Sequence, residues 1–187
     1  MRYYQGGKKL KISSRKITTM GLLMALSIIL TRIASLRIAI GGVEGIRIGL
    51  GKLPIILGGI LFGPLSGGVI GAFFDIIGYI INPLGVYMPH FTLTSALAGI
   101  IPALVLKLFN KKDDLKILEL GIAITTGQVI VSLMMIPYFL NSIFGLPWAI
   151  LMPARMIATP INILIYVYVI KTMLKRNIFS YSLEKQK

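Results

Sequence analysis

The sequence predicts an all-α integral membrane protein: a bundle of six transmembrane helices with both termini on the cytoplasmic side. Three observations carry this. The 187 residues are 56% hydrophobic and only 14% charged, with a mean hydropathy of +0.84, whereas water-soluble domains carry about 25% charged residues. The apolar residues fall in six stretches separated by short polar or Gly/Pro-rich segments. The basic residues, 20 Lys and Arg against 6 Asp and Glu, gather in alternate segments instead of spreading along the chain. The apolar content also excludes disorder. With no cysteine and one histidine, disulfide frameworks, thiol nucleophiles and Cys or His metal clusters are excluded together, and no cofactor is expected.

A helix that crosses the hydrocarbon core needs about 20 mostly apolar residues. The first span is expected at residues 17–36, and it is too long for a cleavable signal peptide and lacks a small-residue cleavage site. The second, 48–62, is short and interrupted by Lys52, which is expected to snorkel to the surface. The third covers 65–81, the fourth 91–109, the fifth 115–139 and the sixth 148–173. The chain then reads as one membrane domain over 1–187. Residues 1–16 form a basic N-terminal segment, 17–173 the bundle and 174–187 a cytoplasmic tail.

Charge gives the orientation. Arg2, Lys8, Lys9, Lys11, Arg15 and Lys16 precede the first span, and Lys107, Lys111, Lys112 and Lys116 lie at or between the adjoining ends of the fourth and fifth. Lys171, Lys175, Arg176, Lys185 and Lys187 sit at the end of the sixth span and after it. Short cytoplasmic segments carry the Lys/Arg excess, so this side is the cytoplasm and the protein is a multi-pass component of a prokaryotic plasma membrane. The basic charge is thereby absorbed by topology, and no nucleic-acid partner is expected. Arg32, Arg37, Arg47, Lys52 and Arg155 are left over.

The outer loops differ in kind. Residues 37–47, Arg-Ile-Ala-Ile-Gly-Gly-Val-Glu-Gly-Ile-Arg, alternate like a strand around Gly41-Gly42 and suit a small hairpin. Residues 83–90, with two prolines and Tyr87, and residues 141–148, ending in Pro147-Trp148, are turn-rich.

Polar groups inside a bilayer are expensive and are candidates for function. Asp75 ends a series Gly63-xxx-Gly67-xxx-Gly71-xxx-Asp75-xxx-Tyr79 in steps of four along one helix face. The glycines suit close approach of another backbone, so Asp75 faces protein, either as a ligand or proton partner or as a carboxylate that hydrogen-bonds a neighbouring helix. Arg155 opens a stripe continued by Thr159 and Asn162, while Gln128 and Ser132 make a second stripe on the span before it. These stripes either line a cavity or form an interhelical network. An always-charged guanidinium in such a place wants an anion. His90 follows Pro89 at the mouth of the fourth span, and Tyr79, Tyr87, Phe91 and Trp148 gather near the outer interface. An aromatic belt would do so without any ligand, but a planar anion would use ring faces together with Arg37, Arg47 or Arg155. Gly21-xxx-Ala25 offers a small-xxx-small face for a partner helix. No phosphate-binding Gly-x-x-x-x-Gly-Lys-Ser/Thr loop, His-Glu-x-x-His or Gly-x-Ser-x-Gly occurs, so the chain is not read as an enzyme.

Residues 53–75, Leu-Pro-Ile-Ile-Leu-Gly-Gly-Ile-Leu-Phe-Gly-Pro-Leu-Ser-Gly-Gly-Val-Ile-Gly-Ala-Phe-Phe-Asp, resemble the substrate-binding S components of energy-coupling factor (ECF) vitamin transporters. Within that family the folate-specific branch is the most similar, on Phe62-Gly-Pro-Leu65, the run from Gly71 to Tyr79, the run from Pro89 to Gly99, and Pro153-Ala-Arg155. The resemblance extends over residues 17–175. It implies a six-helix S-component bundle whose outer vitamin pocket is built from the later helices and loops one, three and five, with loop one as a gate. It also implies a transmembrane coupling subunit docking on an Ala-xxx-Ala face, here Gly21 and Ala25, and two cytoplasmic ATPase subunits that supply energy. Asp75 matches an acid shared by S components of different specificity, which makes it a structural polar residue. Folate itself, with a flat pterin and a tail of two carboxylates, agrees with the inventory. Tyr79, Tyr87, Phe91 or Trp148 would stack, Asn82, Asn162 or His90 would bond the pterin edge, and Arg37, Arg47 and Arg155 would receive carboxylates. The competing readings are an S component for riboflavin, thiamine or a pterin precursor, and a stand-alone secondary transporter working through Asp75. Six helices without repeats weigh against the second.

Overall fold

The computed structural model describes residues 14–33, 35–40, 43–81, 87–109 and 116–175. Its elements run α1 (Ser14–Ile33), β1 (Ser35–Ile40), β2 (Val43–Gly49), a 3-10 turn (Leu50–Lys52), α2 (Leu53–Phe62), α3 (Pro64–Ile81) and α4 (Pro89–Leu108), followed by α5 (Ile117–Gln128), a π turn (Val129–Met135), α6 (Ile136–Phe144) and α7 (Trp148–Lys175). Five stretches are long and apolar enough to cross a membrane: Ser14–Thr31, α3, α4, the continuous rod Ile117–Phe144, and α7. The chain is a multi-pass membrane protein.

The expected second span is the exception. Its helical part is ten residues, about 15 Å at 1.5 Å per residue, and β2 and the 3-10 turn bring the chain to it. On one side the helix begins only after Lys52, the last residue of the 3-10 turn. Gly63, with φ 93°, ends it on the other. The Lys16 ammonium donates to the Phe62 carbonyl at 3.2 Å, which places a cation at the open C-terminal end of α2. Nine of the ten α2 residues are buried, Ile55 and Ile56 completely. A helix apolar on every side belongs in the interior, and α2 is the axis around which α1, α3, α4 and α7 pack.

Glycine sets the tightest packing. A Cβ on Gly67 would stand 2.6 Å from the Gly99 carbonyl oxygen and 2.7 Å from the Gly59 Cα. α2, α3 and α4 therefore cross main chain against main chain, and Gly71 meets the Ser95 carbonyl in the same way one turn on. The expected seam holds at Gly67 and Gly71 but not at Gly63, which lies outside α3 as the joint with α2 and has nothing within 4 Å of an added Cβ. On the other side of α4, Pro102 seats against Gly127 of α5, where an added Cβ would lie 2.7 Å from the proline Cγ.

The fifth span also departs from expectation. It does not end at residue 139 but runs to Phe144, where Gly145 adopts φ 65° and donates to the Asn141 carbonyl at 2.9 Å. Asn141 in turn donates through its side chain to the Leu146 carbonyl at 2.8 Å. Much of the expected fifth loop is thus helix. The π turn precedes Pro137, whose ring would collide with the carbonyl four residues back in a regular helix, and a wider turn relieves that collision.

The all-α expectation needs one amendment, the hairpin that the glycine-centred alternation anticipated. β1 and β2 pair antiparallel with Ser35 opposite Gly49, Arg37 opposite Arg47 and Ile40 opposite Val43, with an irregularity between Ile38 and Ala39. β2 lies along α7.

Candidate functional site

The irregular backbone from Gly49 to Lys52 lies inside a helical bundle, where every peptide group needs a partner. Side chains supply them. Gly49 N–H donates to Asn162 Oδ1 at 3.1 Å, and the Tyr166 hydroxyl donates to the Gly49 carbonyl at 2.7 Å. Ser27 of α1 donates to the Gly51 carbonyl, and Gly51 fits only because it lacks a side chain, since a Cβ there would run into the Thr31 hydroxyl. The Lys52 ammonium donates to Ser132 Oγ at 3.1 Å, and Ser132 donates to Gln128 Oε1 at 2.8 Å. Lys52 therefore does not snorkel to the surface, because the π turn of the fifth span presents an acceptor at its reach. The two polar stripes take part in one seat for the base of the hairpin, with Asn162 only 8% exposed and Tyr166 2% exposed. Arg155, seven residues before Asn162 on α7, is half-buried.

A second group forms where α3 ends and α4 begins. Thr92 donates to the Asp75 carboxylate at 2.6 Å. Its single hydroxyl proton is then committed, so the Tyr87 phenol, 2.7 Å away, is the donor to Thr92. The Tyr87 and Tyr79 rings meet at 5.2 Å between centroids, within the range of favourable aromatic pairs. Asp75 thus ties α3 to α4 across the packed seam. Close to the same end of α4, the His90 ring lies 5.0 Å from that of Phe139, which also contacts Tyr138 at 5.8 Å.

The residues singled out from sequence therefore fall into distinct places. Tyr79, Tyr87 and Asp75 come together, and His90 joins the fifth span. Phe91 is half-buried in the first turn of α4, and Trp148 opens α7 at 39% exposure. Arg37 and Arg47 are register partners on the hairpin, while Asn82 lies outside the described residues. Gly21 and Ala25 are exposed on α1, and a Cβ on Gly21 would meet nothing within 4 Å. Tyr166, Thr92, Ser27 and Phe139 were not among the expected residues. Tyr166 carried a signal, since it extends the Arg155–Thr159–Asn162 stripe by one more turn. Ser27 and Thr92 carried none beyond being hydroxyls in apolar helices.

Comparison with known proteins agrees in fold and family. Residues 11–178 match the family described as ECF-type riboflavin transporter, S component. The folate transporter FolT of Clostridium novyi (strain NT) is 34% identical over 151 residues, 81% of this chain and 83% of that protein. Among solved structures, FolT bound with folic acid superposes with a TM-score of 0.68 at 26% identity, covering 83% of this chain and 89% of that one. The S component of a bacterial ECF transporter superposes at 0.60 and 20% identity over 87% and 94%, and supports the fold.

Proposed function

The chain belongs to the S components of ECF-type transporters, and on that premise we propose that it is a folate-capturing subunit, not an enzyme. The observation that carries the folate reading is the likeness over four-fifths of the chain to a curated folate transporter, together with the superposition on a relative holding folic acid. The geometry is compatible with it. The Tyr79 and Tyr87 rings, inclined at 56°, offer a flat ligand an aromatic edge and face, and Phe91 in the first turn of α4 and Trp148 at the start of α7 are proposed to add further rings. The register pairing of Arg37 with Arg47 and the half-buried Arg155 provide cations for a tail with two carboxylates. His90 and Asn82 are proposed for the pterin edge.

The subunit is proposed to sit in a cell membrane with both termini cytoplasmic and its pocket outward. Gly21 and Ala25 would dock on a transmembrane coupling subunit, and two cytoplasmic ATPase subunits would supply the energy. The exposed, side-chain-free patch at Gly21 supports the docking part, because it lets a partner helix approach closely.

A riboflavin-binding reading has its own support in the description of the matching family. Riboflavin lacks carboxylates, so the arginines distinguish the two. Trp148 is the single tryptophan, and its fluorescence in the detergent-purified chain reports titrations with folate, riboflavin and thiamine. Folate is expected to bind, and Arg155→Ala to weaken it about 100-fold, the scale for truncating one partner of a buried charge pair. Binding of riboflavin instead of folate would overturn the assignment, and unchanged folate affinity in Arg155→Ala would remove the anion role of Arg155.

A further inference from the structure

Asn162 and Tyr166 stand four residues apart on one face of α7 and take the two polar groups of a single residue. Asn162 Oδ1 accepts the Gly49 N–H at 3.1 Å, and the Tyr166 hydroxyl donates to the Gly49 carbonyl at 2.7 Å. Together they offer the end of β2 what another strand would offer, one acceptor and one donor. Both side chains are almost fully buried, while Gly49 itself is half-buried. Lifting Gly49 away would take both partners from its N–H and C=O, a costly change for peptide groups against an apolar bundle. Ser27 on Gly51 and Ser132 on Lys52 hold the next residues from the opposite sides. Farther along the hairpin the ladder is broken between Ile38 and Ala39, where pairing is weakest.

We propose that Asn162 and Tyr166 are positioning residues that fix the base of the hairpin at Gly49, so that the hairpin flexes above a stationary seat and the strength of this clamp sets how fast a covered ligand escapes. The control of release, though not the clamp, rests on the reading of the chain as a vitamin-binding S component, in which loop one, here the hairpin, is the gate over the ligand. The Asn162 carbonyl oxygen accepts from Gly49, so in this proposal Asn162 acts through the hairpin.

The test uses the whole chain in detergent, with Tyr166→Phe, which keeps the ring and removes only the hydroxyl, and Asn162→Ala. Each variant loses one interior hydrogen bond, so the dissociation rate of folate is expected to rise about tenfold while the association rate changes by less than about threefold. Pteroate, which lacks the glutamate, is expected to be released faster by the same factor, because the clamp acts on the cover and not on one part of the ligand. Without any ligand, amide hydrogen exchange of residues 43–49 is expected to quicken in both variants while α3 and α4 exchange as in the parent. Parental exchange over 43–49 would overturn the clamp whether or not folate proves to be the ligand. A parental dissociation rate would overturn its control of release. Factors that differ between folate and pteroate would make these residues direct ligand contacts instead, and loss of protection throughout α3 and α4 would reduce them to general packing. If the parent binds no folate, the proposed function fails while the exchange measurement still decides the clamp.

Discussion

At the crossing of α2, α3 and α4, main chain touches main chain through Gly59, Gly67 and Gly99. At the hairpin seat, main chain is met by side chains of Ser27, Asn162 and Tyr166 arriving from two other helices. Both regions bring backbones deep into an apolar environment, and they solve the problem in opposite ways. Where the backbone is helical its peptide groups are already paired, and only closeness remains to be gained. Where the backbone is irregular, closeness is useless without donors and acceptors. One half of the bundle is built for rigidity. The other holds a segment that has left the regular ladder, and holds it by a few bonds that can be removed one at a time.

Substitutions can break or sharpen this contrast. Gly67→Leu should have the largest effect, since its side chain would have to displace the main chains of two helices. A loss of about 3 kcal/mol, the upper end of overpacking costs, is expected in unfolding from detergent micelles. A parental midpoint would mean that the crossing is looser than described. Lys52→Met should be milder. It keeps the stem and removes the ammonium, leaving Ser132 bonded to Gln128, and a loss of about 1 kcal/mol is expected for one bond to a charged donor offset by the burial of that charge. Increased stability would show that the cation is retained at the expense of the fold. Gly21→Leu should change stability by less than about 0.5 kcal/mol and leave the proposed folate binding as it is, since the position opens onto empty space. Uptake in cells that also make the coupling subunit should nevertheless fall to background. Normal uptake would remove Gly21 from the docking face.

Part of this contrast is written in local sequence patterns and part is not. Small-xxx-small spacing announced the seam at Gly67 and Gly71 because helical periodicity alone puts those positions on one face. The same spacing counted Gly63 wrongly, since a glycine in steps of four and a glycine at a helix joint look alike until φ is known. The hairpin was legible from alternation around two glycines, and Arg155 and Asn162 from polar residues in an apolar span. The partners of Asn162 and Lys52 were not legible. Gly49 lies 113 residues from Asn162 and Ser132 lies 80 residues from Lys52, and no local pattern encodes such a pairing. The end of the fifth span was misplaced because Asn141, read as a loop residue, serves as part of the helix stop.

The glycine crossing has a further consequence, for entropy. A glycine weakens a helix by up to about 1 kcal/mol relative to alanine, mainly through the backbone freedom it gives up. In a membrane that loss falls on the helix as it forms, before helices meet. When α2, α3 and α4 then come together at Gly59, Gly67 and Gly99, these residues have no rotamers to freeze, whereas a lysine or methionine in their place would surrender about 1.5–2 kcal/mol of side-chain freedom. The disorder is given up early, by each helix alone, and little remains to be given up at the contact itself.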